Sequence, residues 1–272
     1  MRRSDHPAHH RRKPEPTRMT SIPPGRPAWV DLFTSDPAAA AGFYAPLFGW
    51  AVAEATGEPP TGRLVFHQQG RPVAGAGPTD DGQPAWTPYL ATENVDTACE
   101  LATATGGRLR SGPVEVSDSR RSAVLTDPAG ASFGVWQSLG LSGAEVFDVP
   151  GALTWAELTT REPDRAKEFY GAVFGWTADD QPMDAITYTT WQRDGQQVAG
   201  MMPMVGEEWG DLPSHWMVYF AVTDTDAVAD EAQRLGGSVS VPPTDLPRGR
   251  FAVLTDPQGA FFSILGPVPA PA

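Results

Sequence analysis

A segment that occurs twice constrains this chain more than any other feature. Residues Pro27–Trp50 read PAWVDLFTSDPAAAAGFYAPLFGW, and Leu153–Trp176 read LTWAELTTREPDRAKEFYGAVFGW. Trp29 answers Trp155, Phe43-Tyr44 answers Phe169-Tyr170 and Gly49-Trp50 answers Gly175-Trp176, all at an offset of 126 residues. Identities held at one offset mark an internal duplication, so the fold has to be assembled from repeated units. Each copy alternates like a strand, then offers an acid and a proline where a helix can start and a glycine where it can stop.

The correspondence continues downstream. Val73-Ala74-Gly75 returns as Val198-Ala199-Gly200, Trp86 and Tyr89 as Trp216 and Tyr219, and Gly106-Gly107 as Gly236-Gly237. The hexapeptide AVLTDP stands unchanged at Ala123–Pro128 and Ala252–Pro257. Strands are expected around 63–69, 72–77, 122–126 and 131–136, with a helix from about Asp96 to the glycine pair. Gly70 and Gly195 sit in short turn sequences that suit tight hairpins. Each half therefore predicts β-α-β-β-β twice. Four such units with their helices on one side of mostly antiparallel strands make an α+β chain. The expected divisions are a disordered basic tail at 1–26, a first domain at 27–138, a linker at 139–150 and a second domain at 151–268.

Charge and composition exclude several classes. With 272 residues, 40% of them hydrophobic, the chain can bury two cores. Its net charge of -13 is uneven: Met1–Arg26 hold seven basic and two acidic side chains, leaving the body near -18. An acidic body repels phosphate backbones, so nucleic acid is not an expected partner. The tail is poor in large apolar residues and predicts disorder; Met19 offers an alternative start. No apolar run reaches the length of a membrane span, and no apolar leader marks secretion. The single cysteine, Cys99, fits a reducing cytoplasm and reads as a small apolar residue of a helix. Phosphate-cradling glycine motifs and the G-x-S-x-G elbow are missing.

The opening D/E-P-x-x-A-x-x-F-Y followed by F-G-W, with the later T-D-P-x-G-A-x-F, resembles the vicinal oxygen chelate superfamily. That superfamily contains glyoxalases, extradiol dioxygenases and bleomycin resistance proteins. The chain is most similar to its tandem actinobacterial members, described as glyoxalase-like or hydroxylase-like. The resemblance spans nearly all of Pro27–Pro267 and implies four βαβββ units curled into two cups that hold ligand. It also implies positions where enzymes of the family carry metal ligands. Those positions fall on Trp29 and Trp155, near Thr87 and Met217, and on Gly134 and Ser263, none a usual donor. Only His67 and His215 lie outside the tail. A metal site needs three or more converging donors, so no metal and no cofactor are expected.

If Trp29 and Trp155 take the family's inward position, strand alternation turns Asp31 and Glu157 inward as well. A carboxyl beside a tryptophan is costly to bury unpaired. Each acid is therefore a candidate acid–base group or polar anchor, or else a structural acid paired with Arg121 or Arg250. His215 is a third acid–base candidate. Trp29, Trp155, Trp86, Tyr89, Trp216 and Tyr219 are the expected aromatic walls, which suit a flat ligand. These residues point to a metal-independent protein that binds a ring-containing metabolite, as a monomer or homodimer. The alternative is an enzyme of natural-product or aldehyde metabolism working through Asp31, Glu157 or His215; a metal-dependent glyoxalase or dioxygenase stands third.

Overall fold

The computed structural model of the protein describes residues 22–55, 62–79, 83–116, 120–140, 143–183 and 185–269. The first half runs β1 (Pro27–Thr34), α1 (Pro37–Phe48), β2 (Ala51–Glu54), β3 (Leu64–Gln68), β4 (Arg71–Pro78), β5 (Ala85–Ala91), α2 (Val95–Ala104), β6 (Arg108–Val116), β7 (Arg120–Thr126) and β8 (Ser132–Ser138). The second repeats it as β9 (Leu153–Thr160), α3 (Pro163–Phe174), β10 (Thr177–Met183), β11 (Ile186–Arg193), β12 (Gln196–Pro203), β13 (His215–Ala221), α4 (Thr225–Arg234), β14 (Ser238–Leu246), β15 (Gly249–Thr255) and β16 (Phe261–Gly266).

Each half forms one eight-stranded sheet, ordered β2-β3-β4-β1-β5-β8-β7-β6 and β10-β11-β12-β9-β13-β16-β15-β14. The sheets are mixed: β1–β4 and β5–β8 pair parallel, as do β9–β12 and β13–β16, while their other neighbours run antiparallel. Local chemistry explains the boundaries. Asp36 caps α1 by accepting from Ala39 N at 2.9 Å, Pro37 follows, and Gly49 ends the helix at φ 68°. Gln69-Gly70 and Asp194-Gly195 both adopt positive φ at two consecutive residues, as two-residue hairpins require.

The two sheets share their cores. In one, Phe43, Tyr44 and Leu47 of α1 pack with Phe220, Phe262 and Ile264 of the second half. In the other, Phe169, Tyr170 and Phe174 of α3 pack with Phe133, Val135 and α2 of the first half. Each half's first helix thus packs between its own sheet and residues of the other half.

The repeated motifs are the stitches of this contact. Tyr44 donates to Asp256 Oδ2 at 3.0 Å, and Tyr170 donates to Asp127 Oδ2 at 3.2 Å. The other oxygen of each aspartate holds its own turn through backbone N–H groups, those of Ala129 and Ala131 or of Gln258 and Ala260. Trp86 and Trp216 donate to the same two tyrosines at 2.9 Å. Trp50 donates to the Gly151 carbonyl at 2.7 Å, and Trp176 to that of Gly25 at 3.0 Å.

That last bond shortens the expected disordered tail. Gly25 N also donates to the Ala91 carbonyl, and Ala91 N to that of Arg26, so Ile22–Arg26 belong to the folded body. The rest of the predicted tail lies outside the described residues. Among those described, no helix is long and apolar enough to cross a membrane.

Candidate functional site

The concave faces of the two sheets begin with the same alternation but are finished differently. Trp29, Asp31 and Phe33 point into the first cup from β1, and β5 adds Thr87 and Tyr89 opposite them. Asp31 is 2% exposed and accepts from Trp29 Nε1 at 2.8 Å. Arg63, just before β3, closes on its second oxygen in a partly buried ion pair. The indole of Trp136 tilts against Trp29 at 5.6 Å, meets the edge of Tyr89 at 6.2 Å, and carries the Arg120 guanidinium 4.4 Å above its face. Burial, then the neighbouring Asp31, push the Tyr89 hydroxyl's pKa up. The Trp end of this cup is filled by its own side chains, and its acid is neutralised.

The second cup keeps the aromatic pair and changes the rest. Trp155 and Glu157 take the places of Trp29 and Asp31, and Tyr219 stands opposite Trp155 as Tyr89 does opposite Trp29. Leu265 occupies the position of Trp136, one residue past the partner of the conserved-register pair in each sheet (Val135 and Ile264). Leu265 lines a cavity of about 560 Å³. Its walls include Trp155, Met183, Met202, Leu246, Phe251 and Leu265, with Glu157, Tyr188, Tyr219 and Arg248 supplying the polar groups.

Arg63 has no counterpart arginine here. Arg63 and Tyr188 each stand two residues before the partner of the Val-Ala-Gly glycine, Val65 opposite Gly75 and Thr190 opposite Gly200. Tyr188 donates to Glu157 Oε2 at 2.7 Å, and Tyr219 donates to Oε1 at 2.9 Å. Trp155 Nε1 in turn donates to the Tyr188 hydroxyl at 3.2 Å. Burial raises the Glu157 pKa; the two phenol bonds and the Arg248 charge oppose it without winning. The glycines make this packing possible: a β-carbon at Gly75 would lie 2.2 Å from Asp31 Oδ1, and one at Gly200 2.0 Å from the Tyr188 hydroxyl.

Several expected site residues lie elsewhere. Trp86 and Trp216 sit on the opposite face of their strands, in the shared cores, because residues three apart in a strand cannot face the same way as Tyr89 and Tyr219. Arg121 binds Asp96 of α2, and Arg250 binds Asp226 of α4 and Asp245, so neither pairs with Asp31 or Glu157. His215 is partly buried, with Nδ1 against the Pro213 carbonyl at 2.8 Å; burial lowers its pKa. It borders a different cavity of about 400 Å³, where Phe33 and Thr87 at the far end of the first cup meet residues of the second half. Arg63, Tyr188, Arg248 and Leu265 were not singled out by sequence; the Val-Ala-Gly repeat and the aligned T-D-P-x-G segments carry the signal.

The comparisons agree with this architecture. The profile of the Glyoxalase/Bleomycin resistance protein/Dioxygenase superfamily matches residues 152–264, and that of the glyoxalase-like domain matches 28–136. The chain belongs to this superfamily, with two tandem domains of its fold. The anthracycline biosynthesis protein DnrV of Streptomyces peucetius is 39% identical over 263 residues, covering 91% of this chain and 95% of the relative. A Mycobacterium bovis protein named as a glyoxylase, CFP32, is 40% identical over 257 residues, covering 90% and 96%. Among solved structures, the Mn(II)-bound glyoxalase of Novosphingobium aromaticivorans superposes with a TM-score of 0.62 at 17% identity, covering 91% of this chain and 88% of that one. At that identity the likeness concerns the fold alone.

Metal chemistry is a property of many members of this superfamily, and the donor set here does not suit it. Where the family implies ligands, the second cup presents Trp155, Met217 and Ser263. Among the described residues no three His, Cys, Asp or Glu side chains converge. Among the residues lining the cavity Glu157 is the one carboxylate, and both its oxygens already accept phenol protons.

Proposed function

We propose that the chain binds a planar, ring-containing small molecule in its second cup, without a metal, and sequesters or processes it. The observation that carries this reading is the cavity of about 560 Å³ that opens where Leu265 replaces the indole found in the first cup. Its volume and its mainly apolar walls with a few polar groups suit a small organic ligand. The 39% identity to an anthracycline biosynthesis protein supports a fused-ring metabolite as the ligand class. The same reading places the protein in the cytoplasm, as a monomer or homodimer.

A second reading rests on Glu157. A carboxyl buried among tyrosines, with its pKa raised, has the properties of an acid–base group acting on a bound ring. Asp31, held by Arg63, is less suited to that work.

Thermal denaturation with a fused-ring hydroxyquinone, a single-ring phenol and a 2-oxoaldehyde tests the primary reading. The hydroxyquinone should stabilise the chain by about 2.7 kcal/mol at a hundredfold excess over its Kd. Stabilisation by the 2-oxoaldehyde alone would refute it. Glu157→Gln then separates binder from enzyme, since only an enzyme loses turnover while keeping affinity.

A further inference from the structure

Arg248 gives the second cup a polarity that its apolar walls lack. It lies in the turn between β14 and β15, where Leu246 and Gly249 pair. Its guanidinium sits 5.2 Å over the Trp155 ring, and its Nη2 donates to Gln197 Oε1 at 3.0 Å. Three other arginines near strand ends find acids, Arg63 with Asp31, Arg121 with Asp96 and Arg250 with Asp226 and Asp245, while Arg120 lies over Trp136. Among the described residues no carboxylate lies within ion-pairing distance of Arg248, in a chain with 33 acidic and 20 basic side chains. Glu157 lines the same cavity but binds Tyr188 and Tyr219 instead.

We infer that the ligand is a ring acid: a planar molecule whose carboxylate or phenolate is received by Arg248 while its ring lies in the cavity against Trp155. This rests on the reading of the second cup given above and adds the charge of its ligand. A guanidinium held over an indole face keeps its edge donors off the ring and, beyond the Nη2 bond to Gln197, can present them as a planar fork to carboxylate oxygens. Each Glu157 oxygen accepts one phenol proton and retains a lone pair, so a hydroxyl on the same ligand can donate there. Arg248 thereby becomes the residue that selects acidic from neutral rings.

Quenching of tryptophan fluorescence by anthraquinone-2-carboxylate and by neutral anthraquinone tests this in the full chain. The carboxylate should bind at least tenfold more tightly, and added salt should erode that advantage. Arg248→Gln should abolish the preference, and Arg248→Lys should restore part of it. Because Arg248 is exposed on a turn, unchanged thermal melting of both variants checks that the fold survives. Equal binding of the two probes, indifferent to Arg248→Gln, would overturn this inference and leave the cup as a ring site. Failure of both probes to bind would overturn the reading of the cup, and this inference with it.

Discussion

Arg63 and Tyr188 occupy one position of a duplicated sheet, and each closes on the carboxyl of its own cup. The arginine gives the buried Asp31 a partly exposed ion-pair partner. The tyrosine leaves Glu157 with two neutral donors and no countercharge within ion-pairing distance among the described residues. At a second exchanged position Trp136 packs against Trp29 in the first cup, whereas Leu265 lines the cavity beside Glu157 in the second. Two substitutions within a repeated frame distinguish the filled Trp end of the first cup from the open one of the second.

The first consequence concerns pH. Burial holds the Glu157 pKa above its unfolded value, so the native state keeps a proton that the unfolded chain has already lost. The group's contribution to stability is therefore greatest at low pH and falls as pH rises from the ordinary carboxylate range through the native pKa. Glu157→Gln cannot titrate. The difference in unfolding free energy, variant minus wild type, should grow across that window and then level off. Urea titrations at a series of pH values measure it, and a difference independent of pH would contradict the raised pKa.

The two carboxyls should also respond differently to loss of a partner. Arg63→Met strands a buried charge and should cost about 3–5 kcal/mol. Tyr188→Phe removes a neutral hydrogen bond to Glu157 and the acceptor of Trp155 Nε1, and should cost about 1–2 kcal/mol. Urea unfolding of the two variants side by side gives the order; equal costs would mean that Asp31 is not held as an ion pair.

The motifs that reveal the duplication serve the contact between halves. Tyr170 donates to Asp127 and accepts from Trp216, so Tyr170→Phe leaves two buried polar groups short of a partner. A loss of about 2 kcal/mol is expected, with the cavity of the second cup intact. Denaturant midpoints and ring-probe affinity check the two halves of this statement; a fall in affinity equal to the fall in stability would tie Tyr170 to the site.

Much of the fold was legible because helix punctuation is local. Asp36-Pro37, Gly49 and Gly175 mark helix ends within a few residues of sequence, and the repeats fix the number of units. The site was less legible, because a one-residue step along a strand reverses the facing of a side chain. Arg121 looks toward α2 while its neighbour Arg120 lies over Trp136, and Trp86 turns away from the cup that Thr87 and Tyr89 enter. The exposed β2 offers no burial alternation to read. Leu265 carries no chemical signal of its own; its meaning appears only beside Trp136.

That comparison supplies the most direct test. Leu265→Trp installs in the second cup the side chain that already packs in the first, so the chain has a precedent for accommodating it. Isothermal titration with a ring probe should show one site per chain in the wild type and none in Leu265→Trp, with thermal stability maintained. Binding that survives this substitution, or two equivalent sites per chain, would contradict the assignment of the second cup as the ligand site.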